Sequence, residues 1–373
     1  MSTDAPSKFG RALAFASLLA AIPLLWPSAS SAQARGVIDS RPACPSCQIT
    51  LERAATLSGP EVLGEPKSMV RTQDGRFVVA FYPIAGEVFE FDATGKFTRV
   101  FARAGRGPGE VTRASAIYRT DSDTIQIFDS GRVLRFNPAG EFVSAVPFPA
   151  SVERVIDTGS GRLVINGRHP VRDAVEQPLH VVDEAWRITS SFGALEGVPF
   201  RPDLPYQAHR LITSDGSGGF WAVRRTAYEL QRWIPPGELV QTWVRNADWF
   251  APYEERRPIS PDRDPENWVT AIQALDSACV LVLVQIPQRD WRNHLGPPRT
   301  TPSGLVMYPD WDVANVFDTR IELVDVVQGR VIATVTHPST LYAFSDQQHV
   351  LSYRQDDSGT PYVDVWRLQV MVR

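Results

Sequence analysis

Three stretches of this 373-residue chain set reactive or charged side chains at suggestive spacings. The first is Cys44-Pro-Ser-Cys47. A c-type haem attachment site needs His at the next position, where Gln48 stands. A thioredoxin-like redox pair needs a helix N-terminus after a strand, and Pro42, Pro45 and the extended run that follows argue against one. A local disulfide and two idle thiols both remain open. Cys279 lies in Cys279-Val-Leu-Val-Leu-Val284, a buried-strand pattern, and reads as an inert core residue. The second stretch, Asp262-Arg-Asp-Pro-Glu-Asn267, is superficially a calcium loop. It lacks the mid-loop Gly and the distal Glu, so a solvated acidic turn is expected. The third, Gly105–Glu110, is glycine-rich but lacks a Gly-Lys-Ser/Thr end and precedes a strand, so it is a tight crossing and not a phosphate loop. Arg103, Arg106 and Arg113 flank it, as solvated loop arginines or as holders of an anion. No His-Glu-x-x-His, Gly-x-Ser-x-Gly or zinc spacing occurs.

Aromatic residues supply a different chemistry. Trp249, Phe250, Tyr253 and Trp268 fall in one region, and Trp291, Tyr308 and Trp311 in another, with Arg256, Arg257 and Arg292 nearby. Exposed, such residues make binding hot spots or stacking platforms for sugars. Buried, they hold loops onto the scaffold.

Composition limits the functions available. A formal charge of −4 leaves no footprint for nucleic acid. Lys8 and Arg11 precede the apolar run Ala12–Trp26, and Ser30-Ser-Ala32 offers small residues for cleavage after Ala32. This is the pattern of a signal peptide, too short for a membrane span. No later stretch is long and apolar enough to cross a bilayer. The expected product is exported, periplasmic or secreted, with an N-terminal segment 33–47 ahead of one large domain, 48–373.

Short β-rich runs broken by Gly, Pro, Asp and Asn position these residues, and none keeps a helical period. They repeat. Gly59-Pro60 precedes Arg71-Thr72 by the interval that separates Gly107-Pro108 from Arg119-Thr120, and Phe91–Phe97 matches Phe136–Phe142. A period of about 45 to 48 residues is that of a propeller blade. The blades span Ser68–Phe101, Ala114–Phe148, Val152–Phe192, His209–Ala247, Val269–Thr336 and Leu341–Val372. The last has three strands, and Gln48–Leu57 is the expected fourth, closing the ring against the C-terminal strand. The fold class is therefore all-β, a six-bladed β-propeller of four-stranded antiparallel blades.

With the four strands of a blade lettered a to d in chain order, direction alternates, so a–b and c–d turns share one face and b–c and d–a connections share the other. The first set is uniformly short. The long insertions Gly167–Pro178, Gly193–Gln207, Asp248–Asn267 and Ile286–Phe317 all belong to the second, which makes that face the expected functional surface.

Gly105, Gly107, Pro108, Gly109, Glu110, Ile125–Asp129, Arg132, Val133 and the Gly140 turn resemble the NHL repeat of six-bladed propellers, with Ser130-Gly131 where the repeat has Asn before its Arg. The whole resembles exported bacterial propellers of the NHL and TolB-like class, which commonly carry a Cys-x-x-Cys segment after the signal peptide, as Cys44 and Cys47 do here. The resemblance implies a menu of roles, from binding modules to lactone hydrolases and an amidating lyase, and the fold does not choose among them. The enzymes of the class hold a metal at the channel on residues atop the innermost strands. Here those positions are Ser68, Ser115, Glu153, His209, Asn267 and Thr340, of which Glu153, His209 and Asn267 are the thin set of metal candidates, for Ca²⁺. The leading expectation is a monomeric, cofactor-free binding scaffold for a protein, peptide or glycan, contacting it through Trp249, Tyr253, Trp268, Trp291, Trp311, Arg103 and Arg106. The alternative is a metal-dependent hydrolase or lyase acting in the channel.

Overall fold

The computed structural model describes residues 34–372 except 42, 45, 60–62, 83–85, 160, 172–174, 196–200, 202–208, 256, 301–305 and 309–312. The proposed signal peptide and Trp311 lie outside the described residues.

Six antiparallel sheets stand around an axis. Blade one comprises Glu65–Arg71, Phe77–Tyr82, Val88–Phe91 and Phe97–Ala102; blade two Ala116–Arg119, Ile125–Asp129, Arg132–Phe136 and Phe142–Pro147. Blade three is Ser151–Asp157, Leu163–Arg168, Leu179–Val182 and Ile188–Phe192; blade four Arg210–Ser214, Phe220–Arg224, Ala227–Ile234 and Glu238–Val244. Blade five is Trp268–Ala274, Cys279–Pro287, Phe317–Asp325 and Arg330–His337. Blade six takes Leu341–Phe344, His349–Gln355 and Pro361–Val372 from the C-terminal end and Cys47–Leu57 as its outer strand. The first strand of each blade lies innermost and touches the first strands of both neighbours, so the ring is continuous.

The closing pair runs from Cys47 opposite Val372 to Leu57 opposite Val363. Leu57, Val363 and Val365 are fully buried, and Thr56 donates a 2.6 Å hydrogen bond to Asp364. Two free sheet edges are thereby removed.

The apolar core is divided accordingly. Each pair of adjacent blades shares one buried cluster, such as Val78, Ala80, Ile125 and Ile127 between blades one and two. Another joins Val164, Leu179, Ile212 and Phe220 between blades three and four. Inward and outward side chains alternate along a strand, but each blade packs on both faces. The strands therefore read as apolar runs like Phe77–Phe81, buried throughout.

One element is absent from the sequence reading. Ala34–Val37 adds a fifth strand to blade four, parallel to Glu238–Val244. The chain then crosses to blade five, where Asp39 and Ala43 pair with the backbone of Gly329 and Val331, and reaches blade six through the Cys44–Cys47 disulfide. Residues 34–47 thus strap the rim of three blades. The Trp243 ring locks the strap: a Cβ on Gly36 would stand 2.1 Å from it, and one on Gly329 2.2 Å. Only glycine permits that approach. Ala-Arg-Gly-Val is too short and mixed to signal a strand, which is why it escaped notice.

Candidate functional site

The channel is wide at both ends and narrow between. On the long-connection face it opens into a cavity of about 740 Å³, lined from blades one to five by Lys67, Tyr82, Arg113, Ser115, Asp129, Ser130, Ser151, Glu153, His209, Arg225 and Trp268 among others. An adjoining cavity of about 310 Å³ shares Lys67, Tyr82, Arg225 and Trp268. The neck below holds only about 60 Å³ and is walled by Arg154, Arg210, Ile212 and Tyr342. A lower cavity of about 620 Å³ opens on the short-turn face.

Backbone irregularity aims several of these side chains. In the innermost strands of blades one, three and five the pairing slips between the second and fourth residues, leaving Lys67, Glu153 and Thr270 as bulged residues. A bulge re-aims a side chain that a regular strand would place elsewhere. Blade six slips in the same region, at Tyr342. Arg113 is aimed differently. Asp129, at the end of the second strand of blade two, accepts hydrogen bonds from Arg113 N at 2.6 Å, Thr112 N at 3.1 Å and Thr112 Oγ1 at 2.7 Å. It is also paired with Arg132 at 3.0 Å. Burial raises the Asp129 carboxyl, but these hydrogen bonds outweigh it and hold its pKa below the ordinary value. The carboxylate is spent on fixing the crossing.

The cavity is cationic. Lys67, Arg113 and Arg225 face it, with Arg154 at the neck. Burial lowers the Lys67 ammonium, repulsion from Arg113 lowers it further, and Glu153 partly offsets both. Burial and then repulsion from Arg225 bring Arg154 down to about 10. Among the described residues no carboxylate lies within ion-pair distance of Lys67 or Arg113. Glu153 is the exception to the positive field: its Oε1 lies 2.8 Å from His209 Nε2. Burial raises its carboxyl, but His209, Arg225 and Lys67 more than reverse this and leave it below its usual range. Its side chain is 38% exposed, to the cavity. The Arg225 guanidinium stacks 5.4 Å from the Trp268 ring.

The three metal candidates separate. Glu153 and His209 meet, but the Asn267 amide donates to the Trp249 backbone carbonyl and does not line the cavity. Ser68, also placed atop a strand, is buried and accepts from Ile117 N, so Lys67 takes that position. A calcium ion needs six to eight oxygen ligands. One carboxylate committed to His209 and surrounded by cations does not supply them, and the residues do not fit that metal. Among the described residues no three His, Cys, Asp or Glu side chains converge as a metal set.

The aromatic candidates separate too. Trp291 is 1% exposed; its indole donates to Asp264 at 3.1 Å, and it packs with Val316, Phe317, Ile259 and Leu295. Arg292 lies 3.0 Å from Asp264 and stacks on Trp291. Insertions Asp248–Asn267 and Ile286–Phe317 are therefore clasped to each other through that indole. Trp249 packs on the cluster between blades four and five, under Arg320 at 4.6 Å. Tyr253 is half-buried, its backbone N–H bonded to Thr226. For Trp249 and Trp291, packing prevails over the expectation of exposed hot spots. Among the described candidate tryptophans, Trp268 alone lines the cavity. Arg103 and Arg106 are exposed in the crossing, outside the lining, whereas Arg113 is part of it. Gly105–Glu110 closes on itself, with Glu110 accepting from Gly107 N at 2.7 Å, as a tight crossing should. Sequence reasoning missed Lys67, Arg225 and Tyr82. Lys67 carried one signal: it is one of three lysines in a chain whose other cations are arginine.

Known proteins agree with this architecture. A family model described as 6-bladed beta-propeller matches residues 62–195, blades one to three. The sheets complete the count. This chain is a six-bladed β-propeller. Its fold is similar over 90% of its length to 99% of a candidate exported protein from Bacteroides fragilis, at 13% identity and a TM-score of 0.56. Looser likenesses are to a Bacteroides caccae protein of unknown function (11% identity, 76% of this chain and 94% of that one, TM-score 0.42) and to the Neurospora crassa Pan2 WD40 domain (9%, 89% and 97%, 0.43). At these identities the propeller shares fold alone. No curated protein matches it in sequence. Among its described residues no helix is long and apolar enough to cross a membrane.

Proposed function

We propose that this propeller is an exported, non-catalytic binding protein that takes its ligand into the 740 Å³ cavity on the long-connection face. The single observation that carries the reading is convergence: polar and charged side chains from blades one to four and the Trp268 edge of blade five surround one open concavity. A largely preformed pocket of this size with a few converging polar groups is the ordinary form of a small-ligand site. The reading needs no cofactor. It favours a ligand, or a protruding part of a peptide or glycan, that enters the cavity, over one lying flat on the insertions, because Trp249 and Trp291 are engaged in packing.

A blocking substitution tests it. Ser130 is exposed at the cavity wall, in the turn between the second and third strands of blade two, and Ser122 is exposed on the opposite face of the same blade. A ligand found by thermal-shift screening of charged and neutral metabolites, sugars and peptides is expected to lose binding in Ser130→Trp and keep it in Ser122→Trp. A ligand bound equally by both variants and the parent, with folding intact by circular dichroism, would place the site elsewhere and reject this reading.

A further inference from the structure

The wall of this cavity is unequal in charge, and the inequality bears on what enters. Lys67, Arg113 and Arg225 reach it from three different blades or crossings, with Arg154 beneath them. Two carboxylates face them. Asp129 is engaged with Arg132 and the Thr112–Arg113 backbone, and Glu153 with His209. Structural arginines elsewhere in the molecule are matched differently. Arg245 has Glu322, Arg232 has Asp215, and Arg354 has Asp364, each at 3.0 Å or less. Lys67 has no such carboxylate among the described residues, and the more deeply buried Arg154 beneath it bonds only to the Phe344 carbonyl, so positive charge accumulates at the cavity and its neck together. Clustering like charges costs stability. A fold retains such an arrangement most readily when something outside the chain completes it.

We propose that the upper cavity binds a small oxyanion-bearing molecule, its acid group held between Lys67, Arg113 and Arg225. This rests on the reading of the cavity as the ligand site and adds the ligand's chemistry. Guanidinium forks match carboxylate and phosphate alike, and the Lys ammonium serves as a point charge for either. The remaining surface offers Ser115, Ser130 and Glu153 as hydrogen-bonding groups for a polar body, and Tyr82, 61% exposed, as an apolar wall. The lowered Lys67 pKa agrees with this geometry, since an arriving anion would relieve the repulsion from Arg113 that helps cause it.

Calorimetric titration with glucuronate, glucose 6-phosphate, inorganic phosphate and neutral glucose tests the inference on the intact mature protein. At least one anionic probe should bind tenfold or more tightly than glucose, and the comparison of glucuronate with the two phosphates identifies the oxyanion. Loss of one charge-assisted contact, worth about 1.5–3 kcal/mol, corresponds to roughly ten- to hundredfold weaker binding. That loss is expected in Lys67→Met and in Arg113→Met, the second an exposed site whose substitution leaves the fold intact. Arg103→Met and Arg106→Met, outside the lining, should bind as the parent does. Lys67→Met should also melt no lower than the parent, because it removes an unpaired, partly buried charge. A structural role for Lys67 would lower the melting temperature instead. Anion binding insensitive to Lys67→Met and Arg113→Met would overturn the inference, as would absence of binding by every anionic probe. A neutral ligand that Ser130→Trp displaces would overturn the oxyanion assignment while leaving the cavity as the ligand site. No ligand of either charge sensitive to Ser130→Trp would overturn both.

Discussion

His180 shows how a single buried group couples this fold to pH. It is fully buried in the third strand of blade three, Nδ1 2.7 Å from Ser191 Oγ and Nε2 3.3 Å from the Gly167 carbonyl. Both contacts are satisfied by the neutral ring, its Nε2–H donating to the carbonyl and Nδ1 accepting from the hydroxyl. Burial pushes its pKa down to about 4; the Gly167 carbonyl opposes this and His169 adds to it. The folded value lies below the ordinary 6.5, so as pH falls the unfolded chain takes up the proton first. The stability contribution is complete above about pH 6.5 and is lost as pH falls towards 4, on the order of 3 kcal/mol in all. Replacing His180 with Gln should flatten the dependence of the urea midpoint on pH across that window. An acid limb as steep as the parent's would mean that other groups cause it. At this scale the sequence was only partly legible. It flagged Glu153, His209, Trp268 and Arg113 as candidates. It could not separate Arg113 from Arg103 and Arg106, because the difference is made by the Asp129 hydrogen bonds, seventeen residues from Thr112 in one case and sixteen from Arg113 in the other.

Between elements, the joint of blades four and five carries an ion pair that no pattern announced. Arg245, just beyond the outer strand of blade four, meets Glu322 of blade five through two hydrogen bonds of 3.0 and 3.1 Å. The side chains are 2% and 0% exposed. Arg320 adds a third contact to Glu322 at 3.0 Å, and Ser40 of the rim strap accepts from Arg245 at 2.6 Å. Burial lowers the Arg245 pKa, but Glu322 outweighs it and raises the value above the ordinary one, so the guanidinium keeps its charge in the joint. Breaking a buried pair leaves an uncompensated charge and costs about 3–5 kcal/mol. Glu322→Ala should lower unfolding stability by about that amount in chemical denaturation. A loss under about 1 kcal/mol would mean that water reaches the guanidinium, as it does in a surface pair. The strands themselves were readable because their apolar runs and Gly, Asp and Pro turns are local. The bulges at Lys67, Glu153 and Thr270 were not. A bulge is an agreement between two strands, and Glu-Pro-Lys-Ser reads the same in a regular ladder.

Closure governs the whole molecule. The ring is held by Cys47–Leu57 against Pro361–Val372 and by the strap of residues 34–44 across blades four and five. Removing 364–373 deletes most of the partner of the closing strand and opens the two clusters that Leu57 and Ile49 enter, taking Val365 from one and Leu368 from the other. The expected outcome is loss of cooperative melting for the entire domain, followed by differential scanning calorimetry. A single transition at the parent's temperature would show that blade-to-blade packing alone closes the ring.

The sequence by itself determined the number of blades, the order of their strands, the face that carries the insertions and the donation of a strand from the N-terminal side to blade six. All of these follow from hydrophobic runs and turn residues that recur at a fixed interval, and local chemistry suffices to read them. Tertiary structure alone decided where the side chains of those blades point. It buried Trp291 between two insertions, drew Asn267 away to a backbone carbonyl, and laid Ala34–Val37 along blade four. It also turned Lys67 inward beside Arg113 and Arg225. The physical reason is the same in each case. A charge or an aromatic ring takes its role from neighbours distant in sequence, and a ring of blades brings residues 67, 113, 153 and 225 to one cavity without leaving a mark of that meeting in any one of them.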